Sequence, residues 1–144
     1  MSVVDRELIA ELIPHQGAMS LLDRVVSWDA STIVAVSTTH RAIGHPLRSN
    51  GCLRAVHLCE YGAQAAALHG GLLARAAGTV AEPGYLVSLR DVTLACSRID
   101  GLPGDLQIGA ELLLQDSGSW QYQFTAVHDA ATLASGRLAI IRRK

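Results

Sequence analysis

The chain has 144 residues, with 12 lysines and arginines against 13 aspartates and glutamates and a formal net charge of -1. That length suits one domain, residues 1–144, able to bury its own core without staples, and the balanced charge calls for no nucleic acid. Although 49% of the residues are hydrophobic, no run approaches the roughly 18 apolar residues of a membrane span, and the N-terminus "MSVVDRELIAELIPHQG" lacks the apolar stretch of a secretory signal. Three cysteines, Cys52, Cys59 and Cys96, with no CxxC spacing, read as reduced thiols of a cytoplasmic protein rather than a disulfide or zinc framework.

In chain order, "DRELIAELI" carries Leu8, Ile9, Leu12 and Ile13 at helical spacing, and Pro14 ends it. "MSLLDRVVSWDAS" and "TIVAVSTT" predict two strands joined by a turn at Asp29-Ala30-Ser31. A turn-rich loop follows, "HRAIGHPLRSNG", in which Pro46 and Gly51 forbid a continuous helix. From residue 53 to about 76 alanine and leucine dominate, which predicts a long helix buried on most sides, with Gly78 as its stop. Four strand-like segments complete the chain: "PGYLVSLRDVTLACSRID", "DLQIGAELLLQD", "WQYQFTAVHD" and "TLASGRLAIIRR". Short turns between them predict an antiparallel meander. A helix apolar around most of its circumference needs cover on most sides, and one curved antiparallel sheet wrapped around it provides that. The expected class is therefore α+β, in the hotdog arrangement. Such a sheet leaves one edge and an apolar flank exposed, which pairing of two chains edge to edge would cover.

Chemistry concentrates in residues 45–64, "HPLRSNGCLRAVHLCEYGAQ". Glu60 is a lone acid on an apolar helix, with Val56 and Ala63 as helical neighbours, His57 one turn back and Gln64 one turn on. Burial keeps a carboxyl partly protonated, which is what a general acid needs, and His45 in the preceding loop is the matching base. From spacing alone, a satisfied structural carboxyl remains the competing reading.

The same segments resemble a known family. "LIPHQGAMSLLDRV", "GHPL", "VHLCEYGAQ" and "YLVSLRDVTLACSRIDGLPGDLQI" resemble, in order and over roughly residues 10 to 142, the 3-hydroxyacyl-acyl-carrier-protein dehydratases. "HPLR" and "EYGAQA" are closer still to a divergent hotdog branch associated with aryl polyene and related polyketide-like pathways. The resemblance implies a hotdog domain working as a homodimer or heterodimer with a related hotdog protein. Its substrate would be a 3-hydroxyacyl chain on the phosphopantetheine of an acyl carrier protein, dehydrated to the trans-2-enoyl thioester with no metal or redox cofactor. His45 carries over as the base for the C2 proton and Glu60 as the acid for the C3 hydroxyl. Gly51, Ala55, Val56 and Gln64 would line the substrate, the helix start offering its N–H groups to the thioester carbonyl. Arg48 and Arg54, flanking the site, would meet the acidic carrier protein.

The family pattern is departed from in three places. Pro46 follows His45 where a phenylalanine is usual, Arg54-Ala55 replaces a Pro-Gly pair, and the interval from His45 to Glu60 is about one residue longer. Two alternatives therefore stand: a non-catalytic partner subunit of a dehydratase heterodimer, and an acyl thioesterase in which Glu60 activates water. His57-x-x-Glu60 lacks the second pair that a helical metal site needs. His15 reads as a capping or structural residue, and His40, His69 and His128 as ordinary surface histidines.

Overall fold

The computed structural model describes residues 4–13, 17–80 and 84–142. Pro14 and His15 lie outside them. Asp5 caps helix α1 (Arg6–Leu12), its carboxylate accepting the Leu8 N–H at 3.1 Å. Strands β1 (Arg24–Trp28) and β2 (Thr32–Ser37) form the expected hairpin. Its turn is tied by Asp29, whose Oδ1 accepts the N–H groups of Ser31 and Thr32 at 2.9 and 2.8 Å. The first strand is shorter than the pattern predicts. Residues 17–19 form a 3-10 turn, and Leu21 gives its N–H to the Gln64 side chain rather than to a neighbouring strand.

The long helix α2 (Leu58–Ala76) is entered through a 3-10 turn, Ala55–His57. Most of its residues are buried, as the apolar run predicts. One stripe stays partly open and carries Glu60, Ala63, Ala67 and Gly70 after the exposed Val56. Four strands follow: β3 (Gly84–Leu94), β4 (Leu106–Asp116), β5 (Ser119–His128) and β6 (Ala131–Arg142). All pairings are antiparallel, in the order β1-β2-β4-β5-β6-β3. Helix α2 packs on β2, β4, β5 and β6, which is the hotdog arrangement.

The meander expected after α2 holds only for β4, β5 and β6. Strand β3 joins the far edge through β6, and residues 95–105 cross back to bring β4 beside β2. The reason lies in that connection. It pairs with the residues just before α2 instead of turning back on β3: Ala55 N–H donates to Ser97 O at 2.9 Å and Ile99 N–H to Leu53 O at 3.0 Å.

Helix and sheet approach closely at Phe124, the chain's single phenylalanine. A Cβ at Gly62 would fall 2.4 Å from its ring, and one at Gly136 would fall 2.8 Å from it and 3.1 Å from Val92. Two glycines on opposite sides thus create the space for one fully buried ring. Opposite Gly136, β3 bulges at Asp91 and Val92, with Asp91 at φ 53. Beyond α2, the strand exposes Leu86, Leu89, Val92 and Leu94 by 43, 44, 37 and 39%, so among the described residues its apolar side chains are only partly covered.

Candidate active site

The loop before α2 is built from successive tight turns. His45 N–H donates to Ala42 O and Arg48 N–H to His45 O, both at 3.1 Å. Ser49 and Cys52 exchange two backbone bonds around Asn50-Gly51, both at positive φ, which is the geometry of a type I′ turn. The loop then locks onto the crossover. Asp100 accepts the Leu53 N–H at 3.0 Å and both nitrogens of a bidentate Arg98, at 3.2 and 2.7 Å. The Arg98 guanidinium and the Leu53 amide hold the Asp100 carboxyl well below its ordinary range.

His45 is buried, 5% exposed, and both its ring nitrogens are engaged. Nδ1 accepts the Leu47 N–H at 3.1 Å, and Nε2 lies 3.0 Å from the Tyr61 hydroxyl. Tyr61 in turn lies 2.8 Å from Thr39 Oγ1, which donates to Leu21 O at 2.9 Å. Ser37 bonds to both Thr39 and that same carbonyl. Burial pushes the His45 ring below its ordinary pKa, and the nearby Arg48 charge pushes the same way. Burial also raises the Tyr61 phenol to about 12. Both groups are therefore neutral near pH 7.

Glu60 is the residue before Tyr61, so the residue that bonds the loop histidine and the helix acid are neighbours on the same turn of α2. Its carboxylate accepts the Gln64 amide at 3.1 Å. Gln64, fully buried, also donates to Met19 O at 2.7 Å and accepts the Leu21 N–H at 2.9 Å. Gln64 thus anchors the acid to the segment before β1. Glu60 itself is only half-buried, where the apolar run had predicted a buried one. It sits on the open stripe, and its further desolvation falls to whatever covers that stripe.

The helix start offers one amide. Ala55 N–H is taken by Ser97 O and His57 N–H by Arg54 O. Among the described residues the Val56 N–H has no acceptor, and Val56 is 49% exposed. Gly51 serves the turn above. Arg54 is exposed at the helix cap, while Arg48 donates to Gly51 O at 3.3 Å and keeps Nε buried without a partner. The half-buried His57 ring makes no hydrogen bond among the described residues, to Glu60 or otherwise.

Two histidines read as surface residues are fully buried. His40 bonds Leu102 O through Nε2 at 2.9 Å, leaves Nδ1 unpartnered, and is pushed below its ordinary pKa mainly by burial. His69 lies between Tyr122 and Asp29 O, each at 2.8 Å. His128 is mostly covered as well and bonds Pro103 O at 2.7 Å. Their positions near segment ends hid the fact that those ends are packed. Tyr61 and Thr39 were missed altogether. A tyrosine inside an apolar helix needs a hydrogen-bond partner for its hydroxyl, and that need was the available signal.

No group of three or more metal-ligating side chains occurs among the described residues, and none of their helices is long and apolar enough to cross a membrane. The three cysteines are free, and burial raises the Cys59 thiol.

Known structures share this architecture. The dehydratase heterocomplex ApeI:P from Xenorhabdus doucetiae contains a chain similar at a TM-score of 0.85 and 22% identity, over 94% of this chain and 91% of that one. AziG of S. sahachiroi matches at 0.66 and 16%, over 92% and 98%. The E. coli PaaI protein from the phenylacetic acid degradation operon matches at 0.62 and 16%, over 95% and 89%. No curated protein matches the sequence. The family model that does match is that of the ApeP dehydratases, over residues 7–144. With nearly its whole length covered, and with the hotdog sheet and helix in place, the chain belongs to the ApeP-like dehydratase family.

Proposed function

We propose that the chain dehydrates a 3-hydroxyacyl thioester carried on the phosphopantetheine of an acyl carrier protein, giving the trans-2-enoyl thioester, as one of two paired hotdog subunits. The observation that carries this reading is a buried histidine, held neutral, bonded to the helix turn whose open stripe presents Glu60. A neutral imidazole is the form that takes the C2 proton, and a protonated Glu60 gives its proton to the departing C3 hydroxyl. The Val56 N–H, at the positive end of α2, is the amide available to the thioester carbonyl, polarising it so that C2–H becomes acidic. The replacement of glycine by Ala55 is then no obstacle, because the Ala55 amide serves the crossover. Substrate would run from Gly51 past Ala55 and Val56 toward Gln64, with Arg48 and Arg54 facing the acidic carrier.

The pairing rests on β3, whose apolar side is only partly covered at the sheet edge. A second hotdog chain added there would continue the sheet. The Xenorhabdus doucetiae neighbour, a dehydratase heterocomplex by name, favours a related but different chain over a second copy.

One observation favours a second reading, a partner subunit that supports chemistry elsewhere. Both His45 nitrogens are occupied in the free chain, so the base must release a bond before it acts. Mass spectrometry of the full chain incubated with a 3-hydroxyacyl carrier protein separates the cases. Loss of water that disappears in His45→Ala supports the proposal. Water loss appearing only with a second hotdog subunit, and surviving His45→Ala, supports the partner reading. Release of free acid marks a thioesterase and overturns both.

A further inference from the structure

We propose that Tyr61 is a positioning residue that accepts the Nε2–H of His45, in the tautomer that the Leu47 amide sets, so that Nδ1, capped by that amide in the free chain, is the atom that receives the substrate proton. The assignment follows from the direction of one hydrogen-bond chain. Leu47 N–H can only donate, so Nδ1 accepts and carries no proton. A neutral ring then carries its proton on Nε2 and donates it to the Tyr61 oxygen. Tyr61 must pass its own proton on to Thr39 Oγ1. From Thr39 the chain ends on the Leu21 carbonyl, directly or through Ser37. Every donor is used once. The opposite polarity, with Tyr61 donating to Nε2, would place a proton on Nδ1 against the Leu47 N–H.

Resting on the dehydratase reading above, this gives the step a defined proton path. Leu47 sits two residues from His45 on the same loop, its side chain partly buried against the core, so the Nδ1 lone pair is freed when this turn of the loop shifts the Leu47 amide away. The C2–H bond breaks and its proton goes to Nδ1. Its electron pair forms the C2–C3 double bond as C3–O breaks, and the proton of Glu60 leaves with the hydroxyl as water. His45 ends as imidazolium, its Nε2–H still held by Tyr61, and Glu60 ends as carboxylate. Returning one proton from His45 to Glu60 resets the pair. Throughout, the oxygens of Tyr61 and Thr39 and the Leu21 carbonyl point their negative ends toward the developing charge. The other titratable or charged groups around the ring are Arg48 on its own loop, His40 on the preceding turn and His57 at the helix start, with Glu60 on α2.

Nitrogen-15 NMR of histidine-labelled full chain reads the tautomer without reference to activity. The expected spectrum shows His45 Nε2 protonated and Nδ1 unprotonated at neutral pH. Tyr61→Phe keeps the ring and removes the acceptor. It should keep the tautomer, which the Leu47 amide still sets, lower kcat by roughly tenfold, the scale of one hydrogen bond to a charged group, leave KM unchanged, and move the acid limb of kcat/KM to lower pH. Thr39→Val breaks the same chain one step further and should give a smaller version of these changes if Tyr61→Phe fails to fold. A wild-type spectrum with the proton on Nδ1 overturns the proposal, as does a Tyr61→Phe protein with unaltered kcat and pH profile. The assigned tautomer together with full turnover in His45→Ala would leave the tautomer standing and remove the dehydratase role of this histidine.

Discussion

The chain holds two buried histidine–tyrosine pairs on α2, and they are wired in opposite senses. At one end of the helix His45 donates to Tyr61, the rings nearly parallel at 26°. Farther along, Tyr122 donates to His69 Nδ1, the rings nearly perpendicular at 86°, and His69 Nε2–H ends on the Asp29 carbonyl. The second pair is closed. It joins α2, β5 and the tight β1–β2 turn, and nothing in it opens without moving one of them. The first pair is fed by an amide on its own loop, two residues away, and that link can be undone locally. The same two residue types thus serve a joint in one place and, on the proposed function, a reacting centre in the other. The difference lies in what supplies the last hydrogen bond.

Substitutions sharpen this contrast. His45→Ala and Glu60→Gln should each lower turnover by roughly a hundredfold or more, the scale of one acid–base group, and Glu60→Gln should do so with an unchanged melting curve. Steady-state rates beside thermal melts check both, and an active, stable Glu60→Gln protein would end the mechanism. Tyr122→Phe should do the reverse. It leaves the His69 lone pair buried without a donor, which costs about 1–3 kcal/mol of stability, with no specific loss of rate per folded molecule.

Acidification should act on the same rings. The pKa values of His40 and His45 lie below the ordinary 6.5 in the folded chain, so the unfolded chain takes up protons first. Their contribution is full above pH 6.5 and is lost as pH falls from there through the depressed folded values. Denaturant titrations at about pH 7 and pH 5 should show lower stability at the acid end, and His40→Gln should reduce the slope. The smallest effect belongs to His57→Ala. With no side-chain hydrogen bond among the described residues, His57 should change both rate and stability by less than either pair, as parallel rate and melting measurements would show.

Much of this was legible beforehand, and the exceptions share a cause. The β1–β2 turn at Asp29, the helix to Ala76 and the strand segments β4, β5 and β6 follow from local pattern, because capping, periodicity and turn chemistry act over a few residues. The place of β3 does not. Its sequence fits a strand anywhere in the sheet, and its position is decided by Ser97, Ile99 and Asp100 binding residues 53 to 55. His69 lies on the buried side of an apolar helix with Leu58, Ala65 and Leu72, so its helical phase outweighed its nearness to a segment end. Glu60 and His45 could be singled out by type and spacing. The Tyr61–Thr39 link between the two halves of the site spans 22 residues of sequence, and no local pattern announces it.

The crossover also fixes when the site comes into being. The Leu53 amide and the Asp100 carboxylate are 47 residues apart in sequence, and the bond from Leu21 to Gln64 spans 43. Hairpins such as β5–β6 close over a few residues and form early, whereas contacts of this separation wait on the entropy of long loops. A nascent or partly folded chain can therefore hold a formed meander before His45 and Glu60 are brought together. On the proposed function, chemistry arrives with these late contacts, and an incompletely folded chain has no assembled centre.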